Sequence, residues 1–105
     1  MTGRLAGAAL LVLAFVPAPA ARAADALGLK VFKEVAQPSC GVCHALRAAG
    51  ATGNVGPSLD DLKPDRDQVL SAVRTGVGVM PSFAETLTAE QIEAVAKFVA
   101  ESAGK

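Results

Sequence analysis

The two cysteines of this 105-residue chain, Cys40 and Cys43, stand two residues apart, and its one histidine, His44, follows at once. Every thiol and imidazole the chain owns is therefore concentrated in the five residues Cys40-Gly41-Val42-Cys43-His44. A scaffold stapled by several disulfides is excluded by the count. The length leaves room for one small domain. Ten Lys and Arg balance ten Asp and Glu, with no basic run, so the clustered cations that a nucleic-acid backbone requires are missing.

Hydrophobic residues make up 51% of the chain and mean hydropathy is +0.39, but much of that excess lies at the start. Residues 1–23 read MTGRLAGAALLVLAFVPAPAARA: a short polar start with Arg4, an apolar stretch from Leu5 to Val16, and a Pro/Ala-rich end. That is the grammar of a secretory signal peptide, with cleavage expected after Ala21-Arg22-Ala23 and Ala18-Pro19-Ala20 as the second choice. The apolar stretch falls short of the roughly 20 residues of a spanning helix and meets Pro17 and Pro19, which argues against a retained anchor. The expected product, 24–105, loses Arg4 and Arg22 and becomes mildly acidic, with eight basic against ten acidic residues. It has no Trp or Tyr and keeps Phe32, Phe83 and Phe98 as its aromatics. Chains of this size often need a metal, cofactor or disulfide to be stable, so a bound group is expected to complete the core.

Three main helices are predicted. Val31, Phe32 and Val35, with Gly28 on the same side, recur at helical spacing over 25–37, and Pro38 closes that segment. Residues 39–48 have room for another turn or two before Gly50, Gly53, Gly56 and Pro57 mark an irregular loop. Asp65 with Gln68 forms a capping box that opens a helix with Val69, Leu70 and Val73 inward and Gly76 as its stop. Thr88 with Gln91 opens the last helix, with Leu87 and Ile92 placed as a hydrophobic staple. Ile92, Val95, Ala96 and Val99 supply its apolar face and Gly104 its end signal. No segment makes a convincing strand, so the class is all-α.

C-x-x-C-H is the attachment signature of c-type haem. Two Cys three apart on a helical turn share a face, so both thiols can reach the two vinyl groups of one porphyrin while the adjacent imidazole is carried to the iron. The competing readings fit less well. A thioredoxin-like dithiol needs a βαβ context, and a structural zinc needs four ligands, one of which would have to be a carboxylate. A simple disulfide leaves His44 unexplained.

The sixth ligand follows by elimination. Removal of the leader leaves Met80 as the one Met and His44 as the one His. Met80 lies in a Gly-rich loop before Pro81, which holds it away from helix, where a core-filling Met would ordinarily sit. A Met/His pair raises the reduction potential. A ligating His also donates its other ring N–H to an acceptor, and the loop 54–59 offers the Pro57 carbonyl; an ordinary turn explains Pro57 equally well.

These residues together resemble the class I cytochromes c. The resemblance is carried by Gly28 and Phe32, Cys40/Cys43/His44, Gly56-Pro57-Ser58-Leu59, Met80-Pro81 with Phe83, and Phe98. It implies a cytochrome c fold of three main helices plus loops around one covalently bound haem, with crossed N- and C-terminal helices. It also implies close approach at Gly28, Phe32 near Phe98, the Pro57 carbonyl accepting from His44, and Met80 closing the sixth position. The stretch EVAQPS separates the first helix from the haem motif more than is usual in small members, and Phe98 stands where many relatives have Tyr. AQPSCGVCH and GVGVMPSF are similar to small bacterial cytochromes that serve periplasmic dehydrogenases, including those of sulfite oxidation.

The expected protein is a soluble, monomeric, periplasmic electron carrier with one haem c and no enzymatic activity. Cys40, Cys43, His44 and Met80 hold the cofactor, with His44 and Met80 on the iron. Its partners are redox proteins met transiently: a donor dehydrogenase and an acceptor oxidase or other cytochrome, with no nucleic acid and no stable membrane insertion. Phe83, Leu59, Leu62, Val69 and Val73 are candidates for the haem lining, while Lys30, Lys33, Lys63 and Lys97 are too dispersed to define a partner surface. The alternatives are a tightly bound cytochrome subunit of a dehydrogenase, an open-site haem sensor or peroxidase with Met80 unbound, and a haem-free dithiol or metal protein.

Overall fold

The structure is a computed structural model that describes residues 2–16 and 19–105. Residues 2–16 have no regular secondary structure and are exposed. Of the expected leader, Met1, Pro17 and Ala18 lie outside the described residues. Among the described residues no helix is long and apolar enough to cross a membrane.

The chain is all-α in its main elements, as expected, with short additions. Helix α1 (Pro19–Lys30) runs into a π-helical turn, Val31–Val35, where the Ala36 N–H reaches back to the Val31 carbonyl at 3.0 Å. The first helix thus starts earlier than expected, runs through the expected cleavage point and changes period before Pro38. The wider turn re-aims its side chains, and the neighbours Val31 and Phe32 are both buried. Helix α2 (Cys40–Cys43) is the single turn of the Cys pair. A two-residue antiparallel pair follows, β1 (Ala45–Leu46) with β2 (Ala51–Thr52), joined through the 3-10 turn Arg47–Ala49. Strands this short carry no period for a sequence to show.

Helix α3 (Leu59–Leu62) is one turn, opened by Ser58, whose hydroxyl accepts from the Asp61 N–H at 3.4 Å. Helix α4 (Arg66–Thr75) starts at Asp65 and helix α5 (Ala89–Ser102) at Thr88, and in both the capping box is complete in both directions. Leu87 and Ile92 are both in the core.

The scaffold is the crossing of α1 on α5, with α4 also packed on α5. The crossing is close because residue 28 is glycine: a Cβ there would lie 2.5 Å from the Ala94 carbonyl oxygen and 2.5 Å from the Phe98 Cβ. Phe32 and Phe98 meet edge to face, with ring centroids 6.1 Å apart and planes at 65°, a favoured aromatic geometry. Across the outer face, Glu93 of α5 pairs with both Arg66 and Arg74 of α4.

Candidate functional site

The Cys pair is held from two sides. The Val42 N–H donates to the Ser39 carbonyl at 3.1 Å and the His44 N–H to the Cys40 carbonyl at 3.0 Å, closing the α2 turn. The Ser39 hydroxyl donates to the Phe32 carbonyl at 3.0 Å, which fastens this turn to the end of the first helix across the EVAQPS stretch. Cys40 and Cys43 form no disulfide with each other and are half-buried. Burial, and less so the neighbouring Cys43, pushes the Cys40 thiol up to about 11 despite an opposing backbone hydrogen bond. That is opposite to the depressed thiol of a redox-active dithiol.

His44 is oriented by the loop that follows. Its Nδ1 lies 2.7 Å from the Pro57 carbonyl oxygen. A carbonyl can only accept, so Nδ1 is the donor, which leaves Nε2 as the ring nitrogen available to a metal. The ring fits because residue 56 is glycine: a Cβ there would stand 2.6 Å from the His44 Cε1 and 2.9 Å from its Nδ1. The Gly56 N–H donates to the Cys43 carbonyl at 2.8 Å, tying the same loop to the Cys pair.

Cys40, Cys43, His44, Pro57 and Met80 all line one cavity of about 440 Å³, within the roughly 300–1,000 Å³ range of cofactor sites. Leu59, Leu62, Val69, Val73 and Phe83, the lining candidates read from the sequence, are all on its wall. Met80 is half-buried and pinned by paired backbone hydrogen bonds with Val77 at 3.0 and 2.9 Å. The apolar wall, paired thiols, a histidine with Nε2 available and a thioether from a separate loop form a donor set suited to a covalently attached haem. Zinc is poorly served: among the described residues no group of three or more His, Cys, Asp and Glu is placed to hold a metal ion.

Asp60 was not singled out by the sequence and proves central to the loop. It is 6% exposed, and its carboxylate accepts from the Arg47 N–H at 2.9 Å and the Gly104 N–H at 2.8 Å, with the Arg47 guanidinium 3.7 Å away. The Gly104 N–H first, then that of Arg47, hold its carboxyl below the usual carboxylate range; burial opposes them and the Arg47 charge adds to them. The single signal for it in the sequence is the Asp60-Asp61 pair after a Ser cap.

Fold and site together define a small all-α domain around one apolar cavity lined by a Cys pair and a histidine. Residues 23–99 match the family model described as cytochrome c oxidase, cbb3-type, subunit III. The chain is 37% identical over 97 residues to cytochrome c6 of Thermosynechococcus vestitus and of Thermostichus vulcanus, covering 83% of this chain and 79% of theirs. It is 29% identical over 86 residues to the quinohemoprotein alcohol dehydrogenase ADH-IIG of Pseudomonas putida, covering 79% of this chain but 12% of that protein's length. The crystal structure of the c-type cytochrome SorU from Sinorhizobium meliloti superposes with a TM-score of 0.77 at 50% identity, covering 80% of this chain and 95% of that one. The chain belongs to the class I c-type cytochromes, and so carries one covalently bound haem c and transfers electrons.

Proposed function

We propose that the chain is an exported single-electron carrier in which Cys40 and Cys43 would hold the haem by two thioether bonds and His44 and Met80 would ligate its iron. The observation that carries this reading is the meeting of all four side chains on one apolar cavity, with His44 Nδ1 already committed to Pro57. The haem supplies one-electron ferric/ferrous chemistry. Around it the chain's own residues act as a fixed frame: Pro57 holds the imidazole in one tautomer, Gly56 leaves room for the ring, and the Val77–Met80 pairing holds the thioether loop. A fixed frame keeps reorganisation small when the electron moves, and a Met/His pair raises the potential. No substrate is turned over.

Residues 1–23 act as a cleaved signal peptide and 24–105 as the working domain, in the periplasm; the family match beginning at residue 23 supports that division. The donor is a periplasmic dehydrogenase, such as a sulfite dehydrogenase, and the acceptor an oxidase or another cytochrome, each met transiently by a monomer.

The test is the optical spectrum of exported protein, oxidised and dithionite-reduced, from a host with c-type haem maturation. Sharp reduced bands with a weak ferric red charge-transfer band are expected; sharp bands without it would remove Met80 from the iron. A second reading, a tightly held subunit of a larger enzyme, is favoured by the oxidase-subunit family model and by the dehydrogenase that contains a matching segment. Copurification with a second chain from the native cell would support the subunit, and a small monomer on sizing there would count against it.

A further inference from the structure

The cavity wall carries very few polar side chains. No Lys, Arg, Asp or Glu lines it, and besides the Cys pair and His44 the polar side chains are those of Ser39 and Gln68. Ser39 has its hydroxyl proton committed to the Phe32 carbonyl. Gln68 is different. Its Oε1 accepts from the Asp65 N–H at 2.9 Å, and because an N–H must meet an oxygen, this contact fixes which way the amide faces. Its NH2 is left over, making no hydrogen bond to the described residues. Gln68 is exposed and also lines the cavity, so the capping box that starts α4 leaves an amide donor uncommitted on a residue of the cavity wall.

A haem c brings two carboxylates into this largely hydrocarbon site, on the ring edge opposite the thioethers. Carboxylates taken from water need donors, and hydrogen bonds to a charged group are about twice as strong as neutral ones. Cys40 and Cys43 are on α2, which packs on the π-helical turn and β2, whereas Gln68 is on α4, which packs on α5. The donor and the Cys pair thus come from different elements of the cavity lining. We propose that Gln68 is the side chain that holds a haem propionate, its Nε2 donating to the carboxylate while Oε1 caps the helix. It is a positioning residue: by drawing off propionate charge it favours the ferrous state. This rests on the thioether attachment proposed above and is independent of Met80.

Gln91 provides the control, since it forms the same capping box at α5 and does not line the cavity. Gln68→Leu and Gln91→Leu each remove one cap acceptor. The test is the midpoint potential of holoprotein by spectroelectrochemistry. Gln68→Leu is expected to lower the ferrous-to-ferric ratio at fixed potential on the order of threefold, about 28 mV at about 59 mV per decade for one electron, while Gln91→Leu leaves it unchanged. An unchanged potential in Gln68→Leu, or equal shifts in both, overturns the proposal. Should loss of the cap prevent folding, Gln68→Glu keeps the acceptor and turns the donor into an anion; it should lower the potential well beyond Gln91→Glu, and equal shifts overturn the proposal. A wild type that emerges without haem absorption would instead refute the attachment itself.

Discussion

The carboxylate of Asp60 accepts a hydrogen bond at 2.8 Å from the backbone N–H of Gly104, forty-four residues further on, and with its other oxygen holds the Arg47 N–H at 2.9 Å. One side chain thereby joins the end of α5, the turn after the Cys-His motif and the short helix that follows Pro57. The loops are tied to the scaffold here by an ion and two amides in addition to the packing of Leu46, Leu59 and Ala103 in the core.

Asp60→Asn should destabilise the protein, because an amide has one oxygen to offer where two N–H donors are waiting and an orphaned donor is costly. A melting temperature lower by several degrees is expected, with Asp61→Asn, exposed and next door, close to wild type.

The same carboxylate gives the stability a defined pH dependence. Its folded pKa lies below the unfolded value of about 3.9, so the folded state binds the proton less tightly. Its contribution is fully present above about pH 4 and is lost as pH falls through the depressed folded value. Acid denaturation curves should therefore be shallower for Asp60→Asn than for wild type; superimposable slopes would remove Asp60 from this role.

Gly28→Ala should open the α1–α5 crossing. The added methyl has backbone against it at 2.5 Å, and backbone cannot rotate away. Overpacking of this kind costs about 1–3 kcal/mol, readable as a lower denaturant midpoint at unchanged slope.

Gly56→Ala should leave the haem attached and disturb His44, the iron ligand proposed above. The methyl would meet the His44 ring at 2.6 Å, so the ring must turn or the loop must move, and either breaks the bond to Pro57. Removing such an orienting contact typically costs about 10–100-fold in ligand strength. The expected readout is a shifted reduction potential with thioether attachment intact by mass.

Met80→Ala should abolish the ferric red band and lower the potential by more than about tenfold in the ferrous-to-ferric ratio, about 59 mV, since the thioether favours ferrous iron. A retained band would show that another group is the sixth ligand.

The parts of the site that a sequence displays are those whose chemistry is local. Cys40, Cys43 and His44 share one turn, so their spacing alone brings them together, whereas the proposal for Met80 needed the loss of Met1 with the expected leader and the loop before Pro81. The capping boxes at Asp65/Gln68 and Thr88/Gln91 close over three residues and formed as expected. The π-helical turn, the β1–β2 pair and α3 escaped because each is too short to show a period, and their hydrogen bonds are chosen by what packs beside them.

The sequence by itself determined the chemistry of this protein: a Cys pair and a histidine on one turn, a lone methionine in a proline-braced loop, and helices that start where their caps stand. Tertiary structure decided what those residues face. Asp60 and Asp61 are the same residue at adjacent positions, yet the first is buried between two backbone donors and the second is exposed. Gln68 and Gln91 cap alike, yet one lines the cavity. Such distinctions depend on groups distant along the chain, such as Gly104 and Arg47, that meet a side chain only when the helices cross, and no local pattern can encode that meeting.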